Sequence, residues 1–82
     1  MSRLKPGELL HNWEYHLKQA LLQAGTVGLK QGEIMKKFGR VSPDDILMHL
    51  EALWAEESVQ RFTQRTHGVS ATIWRATEKF ND

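Results

Sequence analysis

The stretch Val59-Gln60-Arg61-Phe62-Thr63-Gln64-Arg65-Thr66-His67-Gly68-Val69-Ser70-Ala71-Thr72-Ile73-Trp74-Arg75-Ala76-Thr77 decides how this chain is built. Val59 to Thr66 and Ala71 to Thr77 are dense in β-branched and aromatic residues, which crowd a helical turn but pack well on a pleated surface. His67-Gly68 between them is a turn signal, because glycine takes positive φ without steric cost. The pattern predicts a two-stranded β-hairpin with a loop of a few residues. After it, Glu78 to Asp82 is a short polar end with Phe80 as an apolar anchor.

Upstream of Glu57 the apolar period is that of helices. The third helix has the clearest start: Ser42 as N-cap, Pro43 at the first helical position, and Asp45 completing a Ser-x-x-Asp variant of the capping box. Asp44 and Asp45 also sit at the positive end of the helix dipole. Its inward positions are Ile46, Leu50 and Leu53, with Leu47 and Trp54 widening the stripe. The second helix runs from about Lys30 to Phe38, with Ile34 and Phe38 inward and Gly39 ending it. Thr26 to Leu29 reads as a short extended link. The first helix follows Pro6-Gly7, its apolar residues Leu9, Leu10, Trp13, Leu17, Ala20, Leu21 and Ala24 falling with His16 in one arc about 140° wide. Gly25 stops it. Tyr15 and Leu22 lie together off that arc and offer a weak dimer face.

The chain has 82 residues, 40% apolar and 26% charged, with no cysteine. That is one small α+β domain: a lead-in over about 1–7, the domain over 8–80, and a short end. Without cysteine there are no disulfides, no thiol catalysis and no cysteine-bound zinc, and a reducing cytoplasm is the expected compartment. Apolar runs of two or three residues predict no membrane span, and the first residues lack the apolar centre of a signal peptide.

Three helices followed by a hairpin resembles the winged helix-turn-helix. Gly28 to Gly39 is similar to the second-helix segment of bacterial winged-helix regulators, in which a short strand leads into the helix. Val41-Ser42-Pro43 through Leu53 is similar to their recognition helix. Glu56-Glu57-Ser58-Val59-Gln60-Arg61 resembles their exit into the next strand, with Glu57 and Ser58 where Gly and Leu are usual. Ile73 to Lys79 resembles their closing strand. The resemblance covers about residues 8–80. It implies a DNA-binding protein, a regulator of transcription or of a mobile element, whose third helix enters the major groove while the hairpin, the wing, reaches phosphates or the minor groove. On that resemblance Lys30, Lys36, Lys37 and Arg40 contact the backbone of double-stranded DNA. Ser42, Asp44 and Met48 face the groove, and Arg61, Arg65, His67 and Arg75 serve from the wing.

The charge distribution qualifies that expectation. A net charge of +1 hides strong segregation. Residues 30–40 carry Lys30, Lys36, Lys37 and Arg40 against Glu33, a net +3, and residues 61–82 a net +2. Residues 41–60 carry Asp44, Asp45, Glu51, Glu56 and Glu57 with no Lys or Arg, a net −5. The third helix therefore offers no Arg or Lys to guanine and no Asn or Gln to adenine. Two accounts stand: DNA held chiefly by the wing and second helix, or a protein partner docked on the acidic, apolar third helix.

Other chemistries have weaker support. His11, Glu14 and His16 suggest a metal, but histidines five apart point to different faces of a helix, where zinc needs a spacing of three or four. Helix capping accounts for Asp44-Asp45 without magnesium, and His49 and His67 stand isolated. Trp13, Trp54 and Trp74 fit core packing better than stacking platforms for single strands. No Ser, His and acid arrangement suggests a nucleophile and no glycine-rich loop suggests nucleotide hydrolysis, so neither an enzyme nor a cofactor is expected.

Overall fold

A computed structural model describes residues 12–81. The expected contributions of Leu9, Leu10 and His11 to the first helix lie outside that range. The fold is α+β: α1 (Trp13–Ala24), a 3-10 turn (Gly25–Val27), β1 (Leu29–Lys30), α2 (Gln31–Lys37), α3 (Pro43–Ala55), β2 (Val59–Thr66), β3 (Val69–Ala76) and a closing 3-10 turn (Glu78–Asn81).

The strands form one antiparallel sheet in the order β1-β3-β2. The hairpin register runs from Val59 opposite Ala76 to Thr66 opposite Val69. Its loop is therefore only His67 and Gly68, with φ of 52° and 79°. Positive φ at both central residues is the hallmark of a type I′ turn, whose twist matches that of the flanking strands. β3 accordingly begins at Val69, two residues earlier than expected. The extended link before α2 is a true strand: Leu29 pairs with Trp74 and Lys30 with Ile73. Lys30 thus belongs to β1, and α2 starts one residue later than its apolar period suggested.

Leu17 and Leu21 of α1, Ile34 of α2, Ile46 and Leu50 of α3, Val59, Trp74, Phe38, Val41 and Phe80 form one buried cluster. No element buries its apolar face alone, and the helices close on one side of the sheet. Paired residues of an antiparallel sheet share a face and neighbours along a strand alternate. Trp74 points to the helices. Ile73 points the other way, yet is also buried, because the chain at Gly28 passes directly over it. Leu22, expected on an outer face, packs against the core, while Tyr15 stays exposed.

α3 ends in a Schellman motif. The Ser58 amide donates to the Leu53 carbonyl at 2.9 Å and the Glu57 amide to Trp54 at 3.0 Å, with Glu57 left-handed at φ 66°. That conformation is where glycine normally stands. The Thr77 hydroxyl lies 2.7 and 3.0 Å from the Glu57 and Ser58 carbonyl oxygens, and the Lys79 ammonium donates to the Glu56 carbonyl at 2.6 Å. Thr77 and Lys79 so hold the carbonyls of the chain leaving α3, from the C-cap Glu56 to Ser58. At the other end, Ser42 holds the N-cap position and Pro43 the first turn, but no side chain closes a capping bond; the expected capping box with Asp45 is absent.

Candidate nucleic-acid interface

The cations singled out from the sequence are almost all at the surface. Lys30, Lys36, Lys37, Arg40, Arg61, Arg65 and His67 are exposed, and Arg75 is half-buried. Among the described residues the one side-chain contact of this kind joins His49 Nδ1 and Glu14 Oε2, 3.1 Å apart. No described Lys or Arg is paired with a described carboxylate. His49, read as isolated, is instead fixed between α1 and α3, with the Trp13 ring edge-on at 5.2 Å.

Register sorts the hairpin residues onto two faces. Arg61 is opposite Trp74, Thr63 opposite Thr72, and Arg65 opposite Ser70. These share the face that carries Trp74 toward the helices. The outer hairpin on that side is therefore a stripe of hydroxyl and guanidinium donors with no carboxylate. Arg75 is opposite Gln60 and Lys30 opposite Ile73, which puts both on the reverse face. There Arg75 donates from Nε to the Gln60 Oε1 at 3.1 Å and also from Nη2. Its guanidinium lies 5.5 Å from the centre of the Phe62 ring. Arg61 and Arg75, expected to act together, face opposite ways.

The base of the stripe is built from α3. The Arg61 guanidinium stacks 3.9 Å above the centre of the Trp54 ring and 5.8 Å from that of Trp74, the range of cation–π attraction. Trp54 is 43% exposed and so is no core residue, in contrast to Trp74; an arginine, not the core, covers it. Trp74 Nε1 donates to Gln31 Oε1 at 3.1 Å. Gln31, Thr63 and Thr72 were not singled out from the sequence, and Trp54 was weighed there as a core residue against a stacking platform. The two-residue frame Arg61-x-Thr63-x-Arg65 was their legible trace, since a strand places those three side chains on one face.

The α3 surface has another character. Ser42, Asp44, Asp45, Glu51 and Ala52 are exposed, and Met48 is 67% exposed. Asp45 and Met48 line a shallow hollow with Trp13, Glu14 and His49. Carboxylates flank an apolar centre, and no cation of α3 offsets them.

Among the described residues no group of three or more His, Asp or Glu is placed to hold a metal ion, and no helix is long and apolar enough to cross a membrane. No protein-family model matches the chain, and no curated protein or solved structure matches it.

Proposed function

We propose that this chain is a winged-helix DNA-binding protein, a small regulator of transcription or of a mobile element, in which β2 and β3 form the wing. The observation that carries it is the donor stripe Arg61, Thr63, Arg65, Ser70 and Thr72 on one face of the hairpin. Such a surface suits phosphate oxygens, which need donors and positive charge and no nearby carboxylate. The exposed Lys36, Lys37 and Arg40 supply a second cationic region at the end of α2. Binding rests on the backbone more than on bases, because α3 lacks the side chains that read guanine and adenine.

A second occupant is favoured at one place only. The acidic, Met48-centred face of α3 repels a duplex and suits a basic, partly apolar protein segment.

The test is fluorescence anisotropy of a labelled random duplex at about 50 and 200 mM salt. Engagement of about five phosphates lowers affinity roughly 500-fold between those conditions. Absence of binding at the lower salt removes the DNA reading of the isolated chain and leaves the α3 partner.

A further inference from the structure

We propose that the cleft between Trp54 and the hairpin is a specific phosphate site. The cavity, about 340 Å³, is lined by Gln31, Trp54, Arg61, Phe62, Thr63 and Thr72. No carboxylate lines it.

Its donors are set by neighbouring contacts. The Arg61 guanidinium carbon lies 3.9 Å over the Trp54 ring centre, a cation–π contact that restrains the head group at the rim of the cleft. A planar fork restrained in this way loses less freedom on meeting an oxyanion than a free lysine does. Gln31 is oriented by Trp74. An indole N–H only donates, so the amide oxygen of Gln31 must face Trp74 Nε1, which turns its NH2 group away from the ring. Thr63 and Thr72, opposite one another in the register, add two hydroxyls one step along the same face. None of these four donor groups, from Arg61, Gln31, Thr63 and Thr72, gives its hydrogens to a protein acceptor among the described residues. A tetrahedral phosphate, with acceptor oxygens in several directions and negative charge, is the ligand that such a set fits.

The phosphate belongs either to the backbone of a bound duplex or to a free phosphate compound. The first source deepens the DNA reading and rests on it; the site itself does not.

The experiment is a titration of the 15N-labelled full chain with inorganic phosphate, matched to sodium chloride at equal ionic strength. Expected are shifts concentrated at the Gln31 side-chain amide, the Arg61 Nε–H and the Trp54 indole N–H. Arg61→Gln should weaken phosphate binding about tenfold or more, as for loss of a charge-assisted contact. Arg61→Lys, which keeps the charge without the stacked fork, should fall between. Thr63→Val, at an exposed strand position where a β-branched residue is retained, should weaken binding without disturbing the fold. Shifts equal to those in chloride, or spread evenly over Lys36, Lys37 and Arg40, would overturn the site. A short duplex then separates the sources. Shifts at the same three groups, competed by phosphate, assign the ligand to DNA backbone. If the duplex leaves them unmoved while phosphate shifts them, the site stands and its ligand is a free phosphate compound. A duplex that does not bind at all defeats DNA binding while the phosphate result still decides the cleft.

Discussion

Gly28 lies against the backbone of Trp74 so closely that a Cβ on it would meet the Trp74 carbonyl oxygen at 2.7 Å and the Ile73 Cγ2 at 2.9 Å. Its φ of 74° is itself a glycine conformation. This contact lets β1 join the sheet and covers Ile73 on the face away from the helices.

Gly28→Ala should therefore cost about 3 kcal/mol through backbone strain and overpacking together. Gly32→Ala is the contrast. Gly32 lies within α2 and nothing stands within 4 Å of its added Cβ, so the change should stabilise by up to about 1 kcal/mol. Urea denaturation of both variants checks the pair. A Gly28→Ala midpoint equal to that of the parent would contradict the close approach.

Glu57→Gly should stabilise the fold. The αL position that ends α3 costs a side-chain-bearing residue about 1–2 kcal/mol, of which glycine's larger unfolded-state entropy takes back part. A net gain of about 0.5–1 kcal/mol, or roughly 2–8 °C in Tm, should appear in a thermal melt.

His67→Asn separates stability from binding. Asn followed by Gly is the preferred pair for a type I′ turn, so Tm should hold or rise. If His67 contributes to phosphate contact, duplex affinity should fall nonetheless. Unchanged affinity in the anisotropy titration would take this residue out of the interface.

Arg65→Ala should weaken duplex binding regardless of sequence and reduce the slope of log K against log salt by about one. Affinity and slope equal to those of the parent would exclude the outer hairpin from the contact.

Asp44→Asn and Glu51→Gln should each tighten duplex binding about threefold at low salt if α3 lies against DNA, since each removes a repelling charge. A protein partner on α3 predicts the reverse, loss of that complex. Parallel measurements on both ligands discriminate.

The hairpin was legible because its signal is local: runs rich in β-branched and aromatic residues on either side of His67-Gly68 need no information from elsewhere, although the turn proved shorter than the expected loop of a few residues. The Ile46 and Leu50 stripe was legible for the same reason. β1 was legible only as an extended link, and as a strand only through the family resemblance, because two residues become a strand through Trp74 and Ile73, more than forty positions away. Trp54 was misassigned because a helical stripe identifies a side but not its cover. Here the cover is Arg61, contributed by a different element. The cations of the candidate interface could be named from the sequence, but their division between two sheet faces required the register, which the exact length of the turn sets. Gln31 was missed because its role depends on an indole 43 residues distant.

The margin of the sheet also bears on solubility. No strand pairs with the outer edge of β2 among the described residues, and a row of free amides and carbonyls on which another molecule's strand can grow is a route to fibres. Arg61 and Arg65 stand on that strand and repel an identical neighbour. Neutralising both would thus do more than weaken an anion site: it would remove the charge that keeps concentrated protein from polymerising edge to edge.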